Sequence, residues 1–477
     1  MKQNQAKQPT FLMALVPVAF LVACLMFVLF GGLEEAHIAL FMSAIFAAVF
    51  AIVVLKYSWI EIEEGIVDII KMSMGAIIIL MIIGMVIGTW IASGVVPTMI
   101  YYGLKILSPS IFLVATLLIC SVVSLATGSS WTTAATVGLA LMGVGIGLGM
   151  SVPMVGGAII SGSYFGDKMS PLSDTTNLAP AVSGAKLFDH IKHMFYTTIP
   201  SYVVSIIVFG ILGLTAADKA IDQSSIDALI SGLDSAFNIN PLLMLVPVLV
   251  IGAVVMKVPA IPGLFGGAVL GGLAMVVFQG NSFLDIFQAM QNGVSADPDA
   301  WAVIVNTDNA VIADLISSGG LQSMMWTVSL ILSAMVFGGV MERTGMLRAL
   351  AGGILSVLKG RGGLVLSTVL TAITMNLIAG DQYLAIVIPG RMYKESYDEM
   401  GLHPKNLSRA LEDSATLTSP LIPWNTCGAF MIGALGLTAW TYVPFCILNL
   451  LNPILSVVYG YTGFSMHKAE EKDEAVA

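Results

Sequence analysis

The stretch GDKMSPLSDTTN, Gly166 to Asn177, places acids, a lysine, a proline and a run of hydroxyls inside otherwise apolar sequence. A second such stretch, EDSATLTSPLIPWNT from Glu412 to Thr426, recurs in the other half of the chain. Each follows a shorter polar break, TGSSW at Thr127 to Trp131 and AGDQY at Ala379 to Tyr383. Carboxylates and glycine-flanked interruptions are costly at membrane depth unless they line a site. Their duplication in two halves is how a secondary transporter looks in sequence.

The surrounding composition fixes the solvent. Of 477 residues, 57% are hydrophobic and 10% charged, against roughly 25% charged in soluble domains. Phe11 to Phe30 and His37 to Leu55 carry no Asp, Glu, Lys or Arg, and about 20 such residues cross about 30 Å of hydrocarbon. The chain reads as an all-α polytopic membrane protein. Phe11 to Phe30 is too long for a signal peptide, has no clean cleavage site, and is followed by more apolar sequence. The net charge of −9 by itself says little, and with no basic tract in the chain no nucleic-acid partner is expected. Cys24, Cys120, Cys427 and Cys446 are scattered through apolar segments and read as core thiols. His190 and His193 fall in a short basic loop and read as solvated.

Five spanning segments are expected in each half: near 11–30, 37–55, 72–95, 152–180 and 194–217, then near 241–256, 258–278, 321–341, 404–436 and 441–462. Two further apolar pairs, 110–149 and 362–390, each break at one polar tip and read as re-entrant hairpins. With both termini in the cytoplasm, most Lys and Arg fall inside, as the positive-inside rule requires. Lys105 and Lys219 fall outside, and Lys168 and Arg409 at membrane depth. Ser58 to Ile70 reads as an amphipathic stretch on the inner surface. Five crossings per half turn the second half upside down. The expected organisation is therefore an inverted repeat over 1–217, an external linker 218–240, and its partner over 241–477 with an external loop 279–322. Gly128 aligns with Gly380, Trp131 with Tyr383, Gly88 with Gly338, Gly138 with Gly390, and the Ser-Pro-Leu triplet at Ser170 with that at Ser419. GVGIGLG at Gly143 to Gly149 lacks a preceding strand and a following acid, so it reads as helix packing, not nucleotide binding.

At a hairpin tip the backbone must turn, and freed carbonyls can coordinate a cation. Thr127, Ser129 and Ser130 add hydroxyls at the first tip, and Asn376, Asp381 and Gln382 add oxygens at the second. Proline interrupts each broken helix; around the breaks stand Asp167, Asp174, Thr176 and Asn177, then Asp413, Thr416, Ser419 and Asn425. A carboxylate holds either a proton or a hard cation, so competition for one group gives exchange without further machinery. Asp174 and Asp381 are the foremost Na⁺ candidates, each flanked by a break and by neutral oxygen donors. The plainer alternatives are that Asp167 and Lys168 end a helix in water, and that Glu412 and Asp413 neutralise Arg409 on the same helix face. Ser and Thr also commonly bond their own helix backbone. No sequence pattern of an enzyme or of a bound cofactor is present: there is no metal-ligand spacing, nucleophile elbow or His–carboxylate pair.

On GSYFGDKMSPLSDTTNLAPA (Gly162 to Ala181) and SRALEDSATLTSPLIPWNTCGAF (Ser408 to Phe430), the chain resembles the NhaC-type Na⁺/H⁺ antiporters of the ion-transporter superfamily. The resemblance covers nearly the whole length. It implies a bacterial inner-membrane protein, surrounded by lipid, that exports Na⁺ in exchange for H⁺. It also implies a scaffold and a transport domain, elevator-like movement and a homodimer. Similar proteins exchange malate and lactate or amino acids, so a Na⁺- or H⁺-coupled exchanger of a small organic solute is the competing expectation. For that reading Arg391, Arg409 and Lys168 are the candidate anion-binding groups.

Overall fold

The computed structural model describes residues 7–31, 36–217, 223–307, 309–438 and 440–469. Residues 218–222 of the expected linker lie outside them. The chain is nearly all helical, and nine helices among the described residues are long and apolar enough to cross a membrane.

Helices α1 (Phe11–Phe30), α2 (His37–Phe50) and α3 (Trp59–Ala92) open the chain. Ser58 to Ile70 does not form a separate surface segment. A capping box between Ser58 and Glu61 starts α3 at Trp59, and the helix runs unbroken for 34 residues. Short α4 (Val95–Ile106) leads to the first hairpin, whose arms are α5 (Pro109–Thr127) and the pair α6 (Ser130–Thr133) and α7 (Leu139–Gly147). The tip turns at Gly128, φ +69°, a conformation glycine adopts without strain. Helix α8 (Val152–Met169) breaks at Ser170 to Ser173 and continues as α9 (Asp174–Ser183). Helix α10 (Leu187–Ala217) follows.

The expected linker carries α11 (Gln223–Ala236). A tight turn over Pro241–Met244 runs directly into α12 (Leu245–Val255), and the two together cover the predicted span 241–256. Helix α13 is Ala260–Ala274, extended by one wide turn to Gln279. The expected external loop is not free of the helical body. It holds α14 (Phe283–Asn292), the two-residue strands β1 (Val294–Ser295) and β2 (Val303–Ile304), paired in parallel, and α15 (Ala310–Ile316). Its glycines let it press on α3: Gly320 N donates to Gly84 O at 2.7 Å, and a Cβ on Gly88 would lie 2.2 Å from Ala289 O.

Helices α16 (Met325–Arg343) and α17 (Met346–Val357) precede the second hairpin, α18 (Gly360–Ala379) and α19 (Gln382–Glu399), which turns at Gly380 with φ +66°. Its arms run antiparallel, since Thr371 bonds Tyr393 at 2.6 Å and Thr368 bonds Tyr397 at 3.2 Å. Helix α20 (Pro404–Leu411), a wide turn over Glu412–Thr416 and a tight turn over Ser419–Leu421 lead into α21 (Thr426–Leu435). Helix α22 (Ile447–Thr462) starts later than the predicted span at 441.

Side-chain hydrogen bonds recur between the halves. Ser124 Oγ donates to Ser163 O, and Asn376 Nδ2 to Ala415 O. Ser130 Oγ donates to Asp167 Oδ2, and Ser419 Oγ to Gln382 Oε1. The interval from Ser124 to Asn376 equals those from Ser163 to Ala415, Ser130 to Gln382 and Asp167 to Ser419. In this register Ser419 stands where the first half has Asp167, so the two Ser-Pro-Leu triplets are out of step. The wide turn at Glu412–Thr416 has no counterpart in α8, and the triplet falls at a different point relative to the break.

Candidate cation site

Both hairpin tips converge on one cavity of about 760 Å³. Thr127, Ser129 and Ser130 line it from the first tip, Asp381 and Gln382 from the second, and Asp167 and Asp174 from the two sides of the α8–α9 break. Ser73 lines it from the middle of α3, and Lys257 from the turn between α12 and α13.

Each carboxylate is held differently. Asp381 is the N-cap of α19: Oδ1 accepts from Tyr383 N at 2.9 Å and Leu384 N at 3.1 Å, and Oδ2 from Ser73 Oγ at 3.1 Å. It satisfies helix donors and presents a carboxyl group to the cavity. Ser129 does the same capping work in the first hairpin, accepting from Thr132 N at 3.1 Å, without a charge. Asp167 receives both Ser130 N (3.1 Å) and Ser130 Oγ (2.6 Å) on Oδ2. Asp174 stands at the start of α9, where an acid suits the helix dipole, and accepts from Tyr383 OH at 2.6 Å. The aligned aromatics thus each reach into the opposite half, for Trp131 stacks on Phe430 with centroids 4.1 Å apart.

Seven predicted site residues do not line this cavity. Asp413 forms an ion pair with Lys168, both fully buried. Thr197 Oγ1 donates to the same carboxylate at 2.9 Å, and Lys168 Nζ also donates to Asn452 Oδ1 at 2.7 Å. Lys168 and Asp167 are thus buried, not a solvated helix end. Thr176 Oγ1 donates to the carbonyls of Asp167 and Lys168, and Asn177 Nδ2 to those of Pro171 and Ser173, so both tie up the break. Asn376 Nδ2 donates to Ala415 O and Thr418 Oγ1, and its Oδ1 accepts from Asn425 Nδ2 at 3.1 Å. Asn425 caps α21, Ser419 braces Gln382, and Thr416 Oγ1 is buried and lines no part of the cavity.

The basic groups are also redistributed. Arg409 is buried and donates to Ser465 Oγ at 2.6 Å; its Nε is 4.0 Å from Asp413. Arg391 is exposed on α19. Neither lines the cavity. Glu412 does not pair with Arg409; its Oε1 accepts from Thr175 Oγ1 at 2.9 Å. His190 and His193 are buried rather than solvated, with His190 Nδ1 at 2.8 Å from Ser408 Oγ. Sequence reasoning missed Ser73 and Lys257. Ser73 is an isolated hydroxyl in an apolar run, which is a weak signal, and Lys257 looked like any loop lysine.

These features define a multi-pass helical membrane protein whose broken helices meet at one acidic, hydroxyl-rich cavity. The Na+/H+ antiporter family model matches residues 162–464, and the chain belongs to that family. It is 39% identical over 467 residues to the Na(+)/H(+) antiporter NhaC of Alkalihalophilus pseudofirmus, covering 97% of this chain and 98% of that one. It is 40% identical over 459 residues to the Na(+)/H(+) antiporter NhaC of Bacillus subtilis, covering 96% and 99%. It is also 38% identical over 461 residues to the malate-2H(+)/Na(+)-lactate antiporter of Bacillus subtilis, covering 96% of each chain.

Proposed function

We propose that this protein exchanges Na⁺ for H⁺ across the bacterial inner membrane by alternating access, with both termini in the cytoplasm. The observation that carries this is the gathering of Asp167, Asp174 and Asp381 on one cavity, with Lys257 the one basic residue in its lining. Hydroxyl and carbonyl oxygens from both tips suit a hard cation, and each carboxylate takes either a proton or the ion. Competition between the two ligands couples their movements. The two near-full-length NhaC relatives support the same ion pair. The family resemblance adds a homodimer in lipid.

An organic-solute exchanger is the second reading, favoured by the malate–lactate relative and by a cavity larger than one Na⁺ requires. Purified protein in proteoliposomes with an imposed ΔpH separates the two. A pH dye should respond to NaCl alone and not to choline chloride, and Asp174→Asn should abolish the response while membrane insertion persists. Silence with salts and a response only with malate, lactate or an amino acid would replace the proposal with the second reading.

A further inference from the structure

Lys257 is the one basic residue in the lining of a cavity that holds three aspartates. It belongs to neither hairpin and neither broken helix. It sits on the α12–α13 turn, and α13 packs on α3 through Trp90 Nε1, which donates to Gly267 O at 3.0 Å. The lysine therefore approaches the aspartates from a different wall. Its side chain is exposed, and it takes part in none of the ion pairs among the described residues. Its backbone is held at φ +67°, a left-handed conformation that follows a helix end and favours glycine. Lys257 N donates to Val254 O at 2.8 Å to close that turn. A long cationic side chain thus stands where the backbone prefers no side chain.

We infer that Lys257 is a tethered cation that competes with the transported ion for the acidic cavity and so sets its apparent affinity. The inference rests on the cation-exchange reading above. Lys257 lines the same cavity of about 760 Å³ as the three aspartates, and a unit charge at about 10 Å through an effective dielectric of about 40 changes cation affinity about four-fold. Because the ammonium is exposed, salt screens it over about 8 Å at physiological ionic strength.

The test is the half-saturating Na⁺ concentration of proteoliposomes at low, constant ionic strength. Lys257→Gln and Lys257→Gly should lower it about four-fold, and Lys257→Glu about fifteen-fold. Lys257→Arg should match the wild type. Added choline chloride should narrow the gaps. Lys257→Gly also suits the turn, so misfolding does not confound the measurement. Half-saturation in Lys257→Gln and Lys257→Gly within two-fold of the wild type, or a shift that Lys257→Arg shares, overturns the inference while leaving Na⁺ exchange standing. A wild type that ignores Na⁺ overturns both.

Discussion

Removing Asp413 should destabilise the protein rather than merely deprive it of an ion ligand. Its carboxylate and the Lys168 ammonium are fully buried together, so Asp413→Ala strands a cation in a low-dielectric interior, at about 3–5 kcal/mol. Thr197 Oγ1, which donates to Asp413 at 2.9 Å, falls back on Met194 O at 3.2 Å, so it adds little to the loss. Among the described residues Lys168 keeps one hydrogen-bond acceptor, Asn452 Oδ1 at 2.7 Å. Lys168→Met should cost less, because Arg409 Nε, 4.0 Å from Asp413, partly compensates the remaining carboxylate. The double variant Lys168→Met/Asp413→Leu should recover most of the loss, since an apolar pair replaces buried charges at little or no penalty. The assay is the temperature at which detergent-purified protein loses its monodisperse size-exclusion peak, read for all four proteins. If Asp413→Ala and Asp413→Asn melt with the wild type yet abolish the Na⁺ response, the carboxylate serves the ion and the structural argument is wrong.

Two other results are expected. Asp381→Ser should leave melting near the wild type, because serine is as good an N-cap as aspartate and Ser129 fills the same position in the first hairpin; it should weaken Na⁺ dependence, and unchanged dependence would reduce Asp381 to a cap. Outside the spans, burial and then Lys405, Arg409 and His403 lower the pKa of His467 below its ordinary value. His467 lies in the segment after α22 that is held by His403 N on His467 O at 3.0 Å and Ala469 N on Gly401 O at 2.8 Å; released, that segment binds the proton more readily, so its docking is favoured above about pH 6.5 and weakens as pH falls below it. Hydrogen exchange over residues 463–469 should accelerate on acidification, and in His467→Gln it should lose that pH dependence.

The local breaks were legible because their chemistry is local. Gly128 and Gly380 sit where a turn needs positive φ, and a polar residue after each marks the next helix start. Six of the thirteen predicted cation-site residues line the cavity, and those six cluster at the tips and the first break. Six of the seven that do not are polar residues answering to backbone groups or to a distant partner, and the seventh is Thr416. Thr176 satisfies the end of α8, and Asp413 answers a lysine in the other half of the chain. Spacing along the sequence cannot separate an oxygen aimed at an ion from one aimed at a broken helix end, since both tasks select the same residue types.

The sequence alone determined that the chain is helical, lives in lipid and breaks its helices at four places, because hydropathy and glycine or proline punctuation act over a few residues. It also carried the family resemblance. Tertiary structure alone decided which charges meet. It sealed Lys168 against Asp413, brought Ser73 and Lys257 to the cavity wall, and pressed the 279–322 loop onto glycines of α3. Those outcomes depend on contacts between residues far apart in the chain, whose energies come from shared burial and from partners that no local pattern encodes.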